Sequence, residues 1–136
     1  MNNGEIIKAL YASFASGDVS GVLAAMDPMI NWTEADGFLY GGTYIGPDAI
    51  LENVFAKFAT EWEGFSAVPG LFVEEGNTVV VLGTYTGKYL KTGFSMDVPF
   101  AHIYTLRDGR ITRFVQYTDT LAMARMLRLD QVKDGD

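Results

Sequence analysis

Residues 99–120 read PFAHIYTLRDGRITRFVQYTDT, and this stretch is the most informative part of the chain. Apolar and hydroxyl-bearing side chains on both sides of Asp108-Gly109 predict two long β-strands joined by a tight turn. The first strand carries the only histidine of the chain, His102, and an acidic residue, Asp119, follows the second strand. Soluble proteins seldom bury an imidazole or a carboxylate without a partner. The hairpin is therefore the first place to look for a functional site.

The register of this hairpin decides which side chains face each other. Alternation along each strand groups six candidates into two sets: Phe100, His102 and Tyr104 on the first strand, and Val115, Tyr117 and Asp119 at the second. A two-residue turn at Asp108-Gly109 places both sets on one side of the sheet, whereas a type I turn with a glycine bulge separates them. Even in the first register His102 lies opposite Val115, about 13 Å from Asp119 at ~3.3 Å per residue. A direct His–Asp pair is not supported, and the register stays open.

The rest of the chain divides into helices followed by strands. Helical periodicity predicts an amphipathic first helix over 6–14, a second helix after Asp18, and a third that begins at Gly46-Pro47-Asp48. Strands are predicted over 29–34, 65–74, 78–90, 94–106 and 111–118, and a short helix over 121–129. This order predicts an α+β fold, a curved, mixed and mostly antiparallel sheet wrapped around three N-terminal helices. The wide end of such a cone-shaped α+β barrel forms a natural pocket.

Composition restricts the class of protein. With 136 residues, we expect one domain over 1–130 and a frayed polar tail over 131–136. A net charge of −7 argues against nucleic acid and anionic membranes as partners. The chain has no cysteine, its N-terminus does not resemble a signal peptide, and no apolar run is long enough to span a membrane. We therefore expect a cytoplasmic protein.

A second group of candidates lies in NWTEADG, residues 31–37. Trp32 and Glu34 share one face of a strand, and Asp36 has the same parity if the strand continues. A carboxyl group beside a tryptophan on an inward face has a raised pKa, which suits a general acid or base. Alternatively, the strand ends here, and Glu34 and Asp36 reach solvent.

Structural roles compete with functional ones for the hairpin candidates as well. His102 fits a structural histidine that bonds to a backbone carbonyl or a hydroxyl, and Asp119 fits the N-cap of the helix that follows it. One histidine and no cysteine make a zinc site improbable, and no nucleophile elbow or P-loop is present. We expect no metal and no cofactor.

Several motifs are shared with a known family: ASFASGD at 12–18, INWTEADG at 30–37, YGGTYIGPDAI at 40–50, and PFAHIYTLRDGRI with QYTDT between 99 and 120. Together they resemble the SnoaL-like group of the nuclear transport factor 2-like superfamily, over nearly the whole chain from about Glu5 to Arg125. This superfamily also contains ketosteroid isomerases, limonene epoxide hydrolases and polyketide cyclases. The resemblance is specific for the fold and weaker for activity, because one fold hosts many functions.

The resemblance implies roles for three residues. Glu34 falls where ketosteroid isomerases have their proton-abstracting aspartate, and His102 falls near their protonated acidic oxyanion donor. Their second donor, a tyrosine, aligns with Leu10, and Tyr11 is one residue away and points about 100° around the helix. One oxyanion donor is therefore missing from the expected set. SnoaL-type cyclases instead use an aspartate and a histidine, for which Asp119 and His102 are the matching candidates.

These features predict a cofactor-independent isomerase or cyclase that acts by acid–base chemistry on a hydrophobic cyclic or carbonyl-containing small molecule. The alternative is a non-catalytic ligand-binding or accessory dimerisation domain. The predicted catalytic residues are Glu34, His102 and Asp119. The predicted substrate-binding residues are Trp32, Asp36, Phe55, Phe58, Phe100, Tyr104 and Tyr117.

Many members of this superfamily form pairs through the sheet, so we also expect a homodimer. The side chains expected on the exposed face of the sheet are Val79, Val81 and Tyr85.

Overall fold

The computed structural model describes the backbone of residues 1–135 and the side chains of residues 1–127. The helices are α1 (Asn3–Ser16), α2 (Val19–Ala24), α3 (Pro47–Ile50), α4 (Ala56–Glu61) and α5 (Thr120–Gly135), and a π-helical segment, Leu51–Phe55, joins α3 to α4. The strands are β1 (Met26–Glu34), β2 (Gly42–Ile45), β3 (Trp62–Glu75), β4 (Thr78–Tyr89), β5 (Ser95–Arg107) and β6 (Arg110–Thr118).

The strands form one six-stranded sheet in the order β2-β1-β6-β5-β4-β3. All neighbours are antiparallel except β1 and β6, which are parallel. The sheet curves around the N-terminal helices, so the predicted mixed, mostly antiparallel α+β fold is confirmed. The sheet's inner face and the helices enclose one apolar core, which contains the candidate site.

Local sequence signals set the ends of the first two helices. Asn2 and Glu5 form a reciprocal capping box at the start of α1, and Gly17 ends it in the left-handed conformation, with φ 76°. Asp18 accepts a hydrogen bond from the Gly21 amide and caps α2, as its position predicted. Between its caps, α1 packs against β3 and β4, where its side chains reach the core.

The β5–β6 hairpin combines features of both expected registers. Asp108 and Gly109 have φ values of 52° and 77°, as a two-residue type I′ turn requires, and Arg107 pairs with Arg110. One extra residue, Thr112, then bulges out, because Leu106 pairs with Ile111 but Thr105 pairs with Arg113. The bulge at Thr112, and not the turn, shifts the pairing of β5 with β6 by one residue at all positions farther from the turn.

The shifted register changes which residues of β6 face the core. His102 pairs with Gln116, not with Val115, and Tyr104 pairs with Phe114. Phe114 and Gln116 are consequently buried, while Tyr117 is 56% exposed. The two predicted sets of hairpin side chains therefore lie on opposite faces of the sheet.

Three further expectations need correction. Val79, Val81 and Tyr85 lie on the inner face of β4 and are buried, so they do not form an exposed dimer face. The predicted helix over 121–129 extends to Gly135, and the tail predicted as frayed over 131–136 is helical to that residue. Asp136 lies outside the described residues.

The described helices include none that is both long and apolar enough to cross a membrane.

Gly83 is the position in β4 with the least room for a side chain. A Cβ atom there would overlap the Val68 carbonyl oxygen and the ring of Phe100. We expect Gly83→Ala to destabilise the protein by about 1–3 kcal/mol, because the backbone or the ring must move. Thermal unfolding followed by circular dichroism measures the change.

Gly70, on the neighbouring strand, provides the matched control. A Cβ atom there meets only the Leu82 carbonyl oxygen, at an ordinary 3.5 Å. Equal losses of stability in Gly70→Ala and Gly83→Ala would contradict the packing argument.

Candidate functional site

A small cavity of about 50 Å³ lies between α1, the π-helical segment and the inner face of the sheet. Its wall is largely aromatic, and its apolar ring systems are Phe14, Trp32, Phe55, Phe58, Phe65 and Phe114. Five polar side chains also reach it: Tyr11, Glu34, Tyr85, His102 and Tyr104. We call this space the inner cavity.

A larger cavity of about 320 Å³ adjoins the inner cavity. The two share five lining residues: Phe14, Val22, Phe55, Phe58 and Phe65. The rings of Phe58 and Phe65 stack with their centroids 3.8 Å apart, and Phe14 packs edge-on against both. We call the larger space the outer cavity. These aromatic side chains form a partition between the outer cavity and the polar groups of the inner cavity.

Glu34 is the acidic group of the inner cavity. Its side chain is 3% exposed, and its Oε2 atom has no hydrogen-bond partner among the described residues. Burial raises its pKa to about 8, since a desolvated carboxyl group resists ionisation. The nearby Trp32 indole N–H opposes part of this rise without making a hydrogen bond of normal geometry.

The Trp32 indole N–H is also buried, with no hydrogen-bond partner among the side chains that the structure describes. Its ring stacks on Phe114, with centroids 3.8 Å apart, and meets Phe55 edge-on. Native proteins leave few buried polar groups unpaired, because each costs about 1–3 kcal/mol. Among the described residues, an unpaired donor and an unpaired carboxyl oxygen therefore lie in one aromatic cavity.

His102 lies at the centre of a buried hydrogen-bond network. Tyr11 Oη is 2.5 Å from Nδ1, and Tyr85 Oη is 2.5 Å from Nε2. Tyr104 donates to Tyr11 at 2.9 Å, and the Gln116 amide donates to Tyr85 at 2.7 Å. Both ring nitrogens are occupied, so His102 does not itself present a free polar atom to the cavity.

Burial keeps every member of this network neutral. It lowers the pKa of His102 to about 3, well below physiological pH. It raises the pKa values of Tyr11, Tyr85 and Tyr104 above the ordinary value for a phenol. The negative charge of ionised Glu34 adds to this rise for Tyr85 and Tyr104. The network is thus a chain of neutral donors and acceptors.

Most of the residues predicted from the sequence come together here. Trp32, Glu34, Phe55, Phe58, His102 and Tyr104 all line the inner cavity. Phe100 lies behind it, with its ring stacked on the His102 imidazole at a centroid distance of 3.9 Å. The catalytic and binding roles of these residues remain predictions.

Three predicted residues lie elsewhere. Asp36 is exposed in the turn after β1, and Tyr117 is exposed on the outer face of the sheet. Asp119 is exposed and its Oδ1 atom accepts a hydrogen bond from the Ala122 amide at 2.9 Å, so it caps α5. The Thr112 bulge explains these positions for Tyr117 and Asp119, because it turns their strand face outward.

Three polar side chains of the His102 network were not among the predicted site residues: Tyr11, Tyr85 and Gln116. Tyr11 was placed one residue away from the expected donor position, yet its hydroxyl reaches His102, and Leu10 lines the cavity beside it. A tyrosine hydroxyl on α1 therefore lies in the cavity wall, one residue after the position to which the resemblance assigned it. Tyr85 has the same parity along β4 as Val79 and Val81 and therefore shares their inward face. Gln116 faces inward only because of the bulge at Thr112.

Among the residues that the structure describes, no group of three or more His, Cys, Asp or Glu side chains could hold a metal ion.

Comparison with known proteins identifies close structural relatives. The SnoaL-like domain model matches residues 7–114. An NTF2-like protein from Burkholderia thailandensis E264 is 35% identical, with a TM-score of 0.90, over 93% of this chain and 98% of that one. TerC, co-crystallised with polyporic acid, is also 35% identical, with a TM-score of 0.83 and the same coverage of 93% and 98%.

A more distant structure shares the fold alone. It is a hypothetical protein with a ketosteroid isomerase-like fold from Catenulispora acidiphila DSM 44928, in complex with trimethylamine. It is 18% identical, with a TM-score of 0.72, over 83% of this chain and 84% of that one. No curated protein matches the sequence significantly.

The raised pKa of Glu34 predicts a pH-dependent stability. The folded protein keeps this proton up to about pH 8, whereas an unperturbed carboxyl group has a pKa of 4.5. Between these values the folded state binds more protons than the unfolded state, so stability falls as the pH rises. Below about pH 6.5 the unfolded state binds an extra proton at His102, whose pKa is about 3 in the folded protein, and this offsets the effect of Glu34. We therefore expect the free energy of unfolding in urea to fall from about pH 6.5 to pH 8, and Glu34→Gln to remove most of this fall.

Glu63 is exposed on β3 and serves as the control. Glu63→Gln should keep the wild-type slope, which includes the general repulsion among the acidic groups of this chain. A Glu34→Gln variant with an unchanged slope would show that Glu34 is not desolvated in the folded protein.

Proposed function

This chain belongs to the SnoaL-like domain family of the NTF2-like superfamily, and we propose that it is an acid–base enzyme in which Glu34 transfers a proton to or from a hydrophobic cyclic carbonyl compound. The observation that carries the proposal is the unpaired Glu34 carboxyl oxygen in the aromatic inner cavity. A pKa of about 8 places this group close to neutrality, where a general acid or base works best.

The polar groups around Glu34 suit a substrate with a carbonyl oxygen. Removal of a proton next to a carbonyl places negative charge on its oxygen, and buried donors stabilise that charge. The inner cavity has such donors in the Trp32 indole N–H and the tyrosine hydroxyls around His102. Glu34 would take the proton, and these donors would hold the oxygen.

The size of the cavities bears on the size of the substrate. About 50 Å³ is less than the roughly 150 Å³ of an engineered cavity that binds benzene. The outer cavity, about 320 Å³, falls within the range of small-molecule pockets. We infer that the apolar part of the substrate occupies the outer cavity and that the aromatic partition moves to let its polar end reach Glu34.

Polyporic acid, present with TerC in its crystals, is a suitable first probe of binding. We expect it, or cyclic enolisable ketones tested beside it, to raise the Tm of the protein by mass action. Proton transfer is then measured as exchange of the ketone's acidic C–H with D₂O. Glu34→Gln should reduce the exchange rate by about 10²–10⁴-fold, the usual contribution of a general base.

The Glu63→Gln variant is again the control and should exchange at the wild-type rate. Ketones that raise the Tm but do not exchange their acidic C–H with D₂O would contradict the proposed enzyme activity. An exchange rate that is unchanged in Glu34→Gln would contradict it as well. The first result would instead favour the non-catalytic ligand-binding domain that the sequence left as the alternative.

We also propose that the protein forms a homodimer through the outer face of its sheet. One row of paired residues crosses four strands there: Leu71, Leu82, Ala101 and Tyr117. A second row runs beside it: Val73, Val80, Ile103 and Val115. Neither row contains a charged side chain, and a continuous apolar patch of this kind marks an interaction surface. A second copy of the same sheet matches it in shape and chemistry.

Leu82 is 42% exposed and lies within the first row, so it tests this surface. We expect wild type to scatter light at roughly twice the monomer mass, and Leu82→Lys to raise the dissociation constant at least about tenfold, or about 1.4 kcal/mol. Leu90→Lys, at an exposed position after β4, is the control and should stay dimeric. A monomeric wild type at micromolar concentration would refute the dimer.

A further inference from the structure

Both ring nitrogens of His102 are bound by tyrosine hydroxyls, and both tyrosines line the inner cavity. Tyr11 lies at Nδ1 and Tyr85 lies at Nε2. Each hydroxyl oxygen already accepts one other hydrogen bond, from Tyr104 in the first case and from Gln116 in the second. The roles of the remaining protons follow from the chemistry of the imidazole.

A proton count shows that this network has one hydroxyl proton to spare. A neutral imidazole has one N–H group and one acceptor nitrogen. One of Tyr11 and Tyr85 must therefore donate to the ring, and the other must accept from it. The accepting tyrosine does not use its own hydroxyl proton within the network, so this proton is left for a partner in the cavity.

The tautomer of His102 decides which tyrosine offers the spare proton. With the proton on Nδ1, Tyr85 donates to Nε2, and Tyr11 can donate into the cavity. With the proton on Nε2, Tyr11 donates to Nδ1, and Tyr85 can donate into the cavity. Both arrangements contain the same number of hydrogen bonds, so a bound ligand can select between them.

We propose that His102 is a tautomeric relay, which presents one hydroxyl donor to a ligand's carbonyl or enolate oxygen at either Tyr11 or Tyr85. His102 is a positioning residue, because both of its nitrogens are occupied and it acts only through the tyrosines. The ligand's place in the inner cavity rests on the proposed function, whereas the tautomers are a property of the free protein.

Nitrogen NMR of the protein labelled with ¹⁵N-histidine tests the relay directly, because the chain has a single histidine. In Tyr85→Phe, Nε2 loses its partner, and an unpaired lone pair is better tolerated in a protein interior than an unpaired N–H. We expect the proton to lie on Nδ1 in this variant. In Tyr11→Phe the same reasoning places it on Nε2.

Tyr104→Phe is the matched control, because it removes a hydroxyl of the same network that does not touch the ring. Its tautomer populations should equal those of wild type. The same tautomer in both Tyr85→Phe and Tyr11→Phe would overturn the relay. If either variant does not fold, the wild-type spectrum decides, since a ring protonated on both nitrogens at neutral pH would also overturn it.

The two proposals fail separately. An absence of ligand binding or proton exchange would refute the proposed enzyme activity. It would not affect the relay, because the His102 tautomers are measured in the free protein. His102 tautomers other than those expected for Tyr85→Phe and Tyr11→Phe would refute the relay. The proposed proton transfer by Glu34 would remain, with the Trp32 indole N–H as the donor to the ligand's oxygen.

Discussion

The buried polar groups of this protein lie inside a core that is otherwise aromatic, and the free energy of removing them from water governs the site. An imidazole and three phenol hydroxyls satisfy one another, which keeps His102 neutral and its ring fixed. Glu34 and the Trp32 indole N–H are the exceptions, since each has a buried atom with no hydrogen-bond partner in the described part of the chain. The contrast separates a hydrogen-bonded network, which has a single hydroxyl proton to spare, from two groups that have no hydrogen-bond partner among the described residues.

The aromatic side chains have two functions in this arrangement. They exclude water from Glu34, which raises its pKa, and they separate it from the larger outer cavity. The Leu51–Phe55 segment, with π-helical hydrogen bonding, carries one of these side chains, Phe55, at its end. Such segments interrupt an α-helix at a cost in stability and are frequent at functional sites. The partition therefore lies where the helix geometry is irregular.

Part of the site followed from local sequence alone. Alternation along β1 placed Trp32 and Glu34 on one face, and the spacing in β5 did the same for Phe100, His102 and Tyr104. The structure shows that both faces point inward. Strand alternation depends only on the backbone, so it needs no knowledge of neighbouring elements. Family resemblance then connected Glu34 to His102 across a long stretch of chain, and the structure lines one cavity with both.

The sequence by itself determined the family and the order of the helices and strands apart from the short strand β2, and it left an inward and a solvent-facing alternative for Glu34. Only the tertiary structure decided the register beyond Thr112, which directs Gln116 to Tyr85 and turns Tyr117 and Asp119 outward. A bulge depends on how β6 fits between β5 and β1, and no local signal in the chain specifies it. Likewise, the Tyr11 hydroxyl reaches His102 because of the way α1 packs on the sheet, a long-range contact that helical periodicity alone does not predict.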